Sequence, residues 1–374
     1  MKISHNFDGG NIHCLDISDT GTINLEIKKD NNSDFSQWFY FRLTGAKDQP
    51  CQLNLVNASE SSYVEGWQDY RAVASYDRET WFRVDTAFDG KVLTINHTPD
   101  CDSIYYAYFA PYSMERHHDL IGNAQLCERV EYIHLGHTLD GQDMDLLKIG
   151  EDGAGKKVCW IIARQHPGET MAQWCIEGML NSLLDPEDPI SRELLSQAVF
   201  YVVPNMNPDG SRRGNLRTNA AGANLNRQWQ SATMEHSPEV LLVRTKMEQT
   251  GMHFCLDVHG DEALAYNFIA GSEGIASWNE QRQSLLDFYQ QALINASPDF
   301  QTEIGYEKDK HGAALMSIGT NYIAETFNCL AMTLEMPFKD TEKTPDHYVG
   351  WSPQRSRQLG TACLNALYQT LNKL

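Results

Sequence analysis

The chain has 374 residues, 41% apolar and 21% charged, a composition that excludes disorder over most of its length and predicts roughly two to three domains. Thirty basic against fifty acidic residues give a net charge of −20, which argues against nucleic acid or an anionic membrane surface as a partner. No apolar run approaches the roughly 18 residues that span a bilayer, and Met1–Gly10 has no signal-peptide apolar segment, so the cytoplasm is the expected location.

Residues 1–112 read as an all-β antiparallel sandwich domain. Short alternating stretches recur at Ile23–Ile27, Trp38–Leu43, Gln52–Leu55, Trp81–Val84, Val92–Ile95 and Ile104–Phe109, separated by turn clusters such as Asp30–Asp34 and Asp89-Gly90. Pro111 marks the boundary with a second domain, 113–374. A short helical stretch follows around Glu115–Ile121, then a hairpin formed by Val130–Leu135 and Leu146–Ile149.

From there apolar strands alternate with helices. Val158–Ala163, Val199–Val203, Phe254–Val258 and Ala331–Leu334 are continuous apolar runs, while Met171–Leu184, Pro238–Thr250, Gln281–Ala296 and Pro353–Leu374 have helical length and pattern. Such alternation predicts an α/β domain with a mixed, mostly parallel sheet covered by helices. Nine cysteines form an odd, scattered set without a C-x-x-C pair and read as reduced, buried thiols.

The polar residues fall where these runs end. His166 and Glu169 follow the first, Asn207-Pro208-Asp209-Gly210 the second, Asp257 and His259 close the third, and Glu335 closes the fourth. Ligands of open α/β sheets bind outside the carboxyl ends of the strands. A His and a Glu in His166-Pro-Gly-Glu169 can turn toward one cation, since zinc takes imidazole nitrogen and carboxylate oxygen and keeps one position open in catalytic sites. Glu335, inside Met332–Phe338, is a carboxylate in an apolar run, where burial raises its pKa toward that of a general base. The stretch Gly214–Arg227 is rich in turn formers and planar donors, which suit it to holding a carboxylate and polarising a carbonyl.

In this order the motifs resemble the M14 zinc metallocarboxypeptidases. The Gly214-Asn-x-Arg217 and Asn224-Leu-Asn226-Arg227 forms, behind an N-terminal β domain, look most like the bacterial type of the cytosolic carboxypeptidase subfamily. The resemblance implies a carboxypeptidase-like fold and one Zn2+ per chain on His166, Glu169 and His259. It implies Glu335 as general base and acid, Arg217 on the scissile carbonyl, and Asn226 with Arg227 on the substrate's terminal carboxylate. The substrate is then the C-terminal tail of a peptide or protein, hydrolysed by promoted-water attack.

Tyr306 and Tyr322 are both open as the tyrosine that closes on substrate in digestive members. Lys308, Lys310 and His311 have no assigned place. Asp257 is expected on the strand face opposite His259, and Arg212, Arg213 and Arg217 could form a basic mouth for acidic tails. Two competing readings are a zinc amidohydrolase on N-acyl amino acids and a non-catalytic scaffold. The His-Pro-Gly-Glu form disfavours the first, and retention of the three ligands with Glu335 disfavours the second.

Overall fold

A computed structural model describes all 374 residues. The first hundred or so residues build two five-stranded sheets. In one, Lys2–Ser4, Tyr40–Thr44, Ser103–Ala107, Val73–Ser75 and Phe82–Arg83 lie side by side; in the other, His13–Ile17, Thr22–Glu26, Cys51–Leu55, Leu93–His97 and Asp85–Phe88. All pairings are antiparallel except Thr22–Glu26 with Cys51–Leu55, which is parallel. The six expected stretches all carry strands; those at Lys2–Ser4, His13–Ile17, Val73–Ser75 and Asp85–Phe88 were not anticipated, being short edge or connecting pieces.

The rest of the chain winds around a seven-stranded sheet. Its centre is four parallel strands, Ala198–Val203, Lys157–Ala163, Phe254–Val258 and Leu330–Glu335, in that spatial order. The hairpin Val130–His137/Asp143–Ile149 joins one side and Phe268–Ala270 the other, all antiparallel. Side chains of the parallel strands alternate between two cores. Cys159, Ile161, Phe200, Leu256 and Met332 face one, which also receives the helices Thr170–Leu183, Glu280–Ala296 and Pro353–Thr370. Trp160, Ile162, Tyr201 and Cys255 face the other, beneath Pro238–Thr250 and Gly319–Phe327. Coverage on both faces is why these strands read as unbroken apolar runs.

The larger core continues into the β sheets through Phe41, Leu53, Tyr106 and Tyr108. Tyr108 stacks on Phe338 with centroids 4.4 Å apart. Arg83, fully buried, donates to the carbonyls of Arg71 (2.6 Å), Phe338 (2.8 Å) and Trp351 (3.1 Å), tying the second segment's last loop to the first. Burial lowers its guanidinium to about 10. All nine cysteines are free thiols.

Candidate active site

Register places the site. Ala163, Val258 and Leu334 lie level across three parallel strands, so the residues just beyond them emerge at one sheet edge. The His259 N–H donates to the Leu334 carbonyl at 2.8 Å, extending the ladder by one residue before the strands diverge. The His166–Glu169 turn is held from below by Arg164, in the left-handed region at φ 60°, whose guanidinium donates to Pro167 O (2.9 Å), Tyr112 O (2.8 Å) and Gln173 Oε1 (2.7 Å). It is held from the side by Asn207, whose amide donates to Gln165 O at 3.0 Å. Gly168 is required because the next loop crosses it: a Cβ there would lie 2.9 Å from Leu216 O, to which the Gly168 N–H donates.

Three metal-type donors converge. His166 Nδ1 lies 2.6 Å from Glu169 Oε1, His259 Nδ1 lies 2.8 Å from Glu169 Oε2, and the two Nδ1 atoms are 3.2 Å apart. All three residues are buried. The outer nitrogens are committed: His166 Nε2 meets Asn224 Oδ1 at 3.1 Å and His259 Nε2 meets Asp257 Oδ2 at 3.0 Å. That arrangement leaves both Nδ1 atoms facing the carboxylate. Burial and the Arg217 charge drive His166 down to about 3, keeping it neutral. Burial would raise Glu169, but the two imidazoles hold it below the usual carboxylate range. For His259 burial is outweighed by Asp257 and Glu169, which hold it well above its ordinary value. Two imidazole nitrogens and a carboxylate with oriented outer nitrogens are a donor set that fits a zinc ion.

The expectation for Asp257 is not met. Residues two apart on a strand share a face, and Asp257 accepts from Gln165 Nε2 (2.5 Å) as well as contacting His259. That alternation was sufficient to find it.

Glu335 is buried, and its Oε2 has no partner in the protein. Burial raises its carboxyl well above the ordinary value. It lines a cavity of about 990 Å³ together with His166, Glu169, Arg217, Asn226 and Arg227. Arg217 Nη1 lies 3.9 Å from Glu169 Oε1. Asn226 Oδ1 accepts from the Gly319 N–H (2.8 Å), so only its amide nitrogen remains to donate into the cavity. Arg227 donates to Asn226 O at 2.7 Å. The seven residues singled out from the sequence therefore lie in one place.

Tyr306 is in the cavity, its hydroxyl donating to Asp261 Oδ2 at 2.6 Å. Tyr322 packs elsewhere, against Trp229 and the Arg244 guanidinium. Lys308 lines the cavity but is paired with Glu273 at 3.0 Å. Arg213 is bound to Asp140 through two contacts of 2.6 and 2.8 Å, and neither it nor Arg212 lines the cavity. Sequence reading missed Tyr63 and Glu262, both in the cavity wall. Burial raises the Glu262 carboxyl, with Arg217 pulling it back.

Converging imidazoles and carboxylate beside a buried, unpartnered second carboxylate are the equipment of a metal-dependent hydrolase. Residues 3–109 match the cytosolic carboxypeptidase N-terminal domain and residues 122–349 match the zinc carboxypeptidase family. The chain belongs to the M14 zinc carboxypeptidases and is a metallocarboxypeptidase of the cytosolic carboxypeptidase type. It is 51% identical, over all its length, to an uncharacterised protein of Zymomonas mobilis, of which it covers 97%. Over 81% of its length it is 28% identical to mouse cytosolic carboxypeptidase 6, covering 61% of that protein. Among solved structures it is similar to the metallo-carboxypeptidase of Burkholderia cenocepacia (48% identity, TM-score 0.98, all of both chains). It is also similar to the Pseudomonas aeruginosa metallo-carboxypeptidase in complex with (2-guanidinoethylmercapto)succinic acid (41% identity, TM-score 0.97, all of both chains). These matches favour neither the amidohydrolase nor the scaffold reading.

Proposed function

We propose that the chain removes single residues from the C-termini of peptides or protein tails, with one Zn2+ held by His166, Glu169 and His259. Zinc, when bound, supplies Lewis acidity and lowers the pKa of a water. Glu335 takes a proton from the attacking water at Oε2 and returns it to the leaving amine nitrogen as the C–N bond breaks. Arg217 donates to the scissile carbonyl as charge develops on its oxygen. Asn226 and Arg227 hold the terminal carboxylate, which restricts cleavage to free C-termini. Tyr306 is the tyrosine that closes over substrate. The division between the β domain and the catalytic domain falls at residues 112/113, and the protein acts in the cytoplasm, in keeping with the resemblance of its first domain to cytosolic carboxypeptidases.

The observation that carries this reading is the unpartnered Glu335 Oε2, buried beside the converged donors. A buried carboxylate oxygen without a partner costs stability and is retained where it handles a proton. The test is hydrolysis of free-ended and C-terminally amidated peptides, followed by mass spectrometry. Stepwise loss of residues from free-ended peptides only is expected. Glu335→Gln should lower kcat by about 10² to 10⁴, with zinc content near one per chain. Cleavage of amidated peptides at equal rate, or full activity in Glu335→Gln, would overturn the assignment.

A further inference from the structure

The loop that carries Arg217 is ordered by an anion from the other domain. Asp30 is buried in the β domain. Its Oδ1 accepts from the Leu216 N–H at 2.6 Å; its Oδ2 accepts from the N–H groups of Arg217 (2.8 Å) and Thr218 (2.9 Å) and from the Thr218 hydroxyl (3.0 Å). Three successive backbone N–H groups turned toward one point form an anion nest, and here the anion is supplied from within the chain. Asn31 extends the clamp, donating to Asn219 O (3.3 Å) and Ala220 O (2.7 Å) while accepting from Asn215 Nδ2 (2.8 Å). Above the nest the Arg217 guanidinium lies over two rings of the same domain, 5.3 Å from the Tyr63 centroid and 5.7 Å from that of Phe35.

We infer that Asp30 is a positioning residue for the reaction: by fixing the backbone of residues 216–218 it sets the Arg217 guanidinium at the reacting carbonyl, so the β domain is a working part of the active site. This rests on the role given to Arg217 above. The backbone on which Arg217 stands has its N–H groups turned toward Asp30, which does not line the cavity. Without that carboxylate the three donors are left buried and unpaired, and the loop must rearrange to satisfy them. A displacement of about 1 Å at an orienting group costs on the order of 10²-fold in rate. Tyr63 and Phe35 limit where the guanidinium can go, which makes its location depend on the backbone beneath it.

Asp30→Asn keeps the shape and removes the anion, presenting an amide donor to backbone donors. Its kcat should fall roughly 10- to 100-fold, with KM changed less than about threefold and zinc content unchanged. Thr218→Val, which removes only the hydroxyl contact, should lower kcat about two- to fivefold and serves where Asp30→Asn does not fold. The decisive comparison is a cycle with Arg217→Ala. If Asp30 acts through Arg217, the double variant is no slower than Arg217→Ala alone, to within about twofold. Losses that multiply would overturn the inference, as would a lowered Tm with kcat intact in Asp30→Asn or, failing its folding, an unchanged kcat in Thr218→Val. If Arg217→Ala leaves kcat unchanged, the role of Arg217 falls and the positioning role with it; if Arg217→Ala is slow and Asp30→Asn is not, only the positioning role falls.

Discussion

The outer nitrogen of His259 donates to Asp257, and Asp257 is fixed in turn by the Gln165 amide. Such partners set the tautomer of a ligating histidine and raise its basicity, and removing them typically weakens metal binding 10- to 100-fold. Asp257→Asn preserves volume but removes the charge. Its zinc affinity, measured by competition with a chelator, should drop by about that factor, while kcat at saturating zinc changes far less; an unaltered affinity would show that Asp257 only fills space. At this scale the sequence was legible wherever chemistry sits at a strand end. His166, Glu169, His259 and Glu335 could be found because apolar runs of both-face burial stop at them. Asp257 was available from strand alternation. Tyr63, Asp30 and Glu262 were not, since each sits outside a regular strand or helix, in loops and turns, and is brought to the site or its supporting loop by tertiary packing that no local period records.

At the scale of elements, the loop bearing Arg217 is gripped from its far side as well. Asn219 accepts from Ala221 and Ala223 N–H groups (3.0 Å each) and donates to the Glu239 carboxyl (3.2 and 3.1 Å), near the start of helix Pro238–Thr250. Glu239 is buried, and burial raises its carboxyl from the ordinary 4.5 to about 7. A raised acid pKa favours the folded state only while the group keeps its proton. Stability from this source is complete below pH 4.5, declines as the unfolded chain ionises first, and is lost as pH rises through 7. The shift corresponds to about 3 kcal/mol across that window. Glu239→Gln keeps an acceptor for Asn219 and cannot ionise, so its unfolding free energy relative to wild type should rise by about that amount between pH 4 and pH 8. A difference that stays flat in denaturant melts across that range would refute the assignment. The elements that escaped sequence reading have local causes. Helix Pro208–Arg213 has six residues, too few for periodicity, and its Asn207 cap and left-handed Gly214 read equally well as a turn. Helix Pro189–Gln197 was missed as well, although the Asp188 cap and Pro189 at its first position are signals the sequence carries.

At the scale of the molecule, the question is which side chain the cavity accepts beside the terminal carboxylate. The net charge of −20 sets an unfavourable background for acidic tails, and the cavity wall adds to it. Asp261, Glu303, Glu307 and Asp309 line it, against Arg217 and Arg227, while Lys308 and Glu273 cancel each other. Under the function proposed above the two arginines are taken up by the substrate's carbonyl and carboxylate. The surface arginines that could have made a basic mouth are elsewhere, Arg213 being bound to Asp140. A C-terminal glutamate would therefore bring its side-chain charge toward carboxylates with no free cation to meet it. At low ionic strength, kcat/KM for peptides ending in lysine or a neutral residue should exceed that for otherwise identical peptides ending in glutamate by about tenfold or more. The gap should narrow as salt rises from roughly 0.02 to 0.2 M, because screening shortens the reach of the wall charges to about a Debye length. A preference for terminal glutamate that persists at every salt concentration would mean that Arg227 or Lys308 turns to the side chain, and the charge argument would then be wrong.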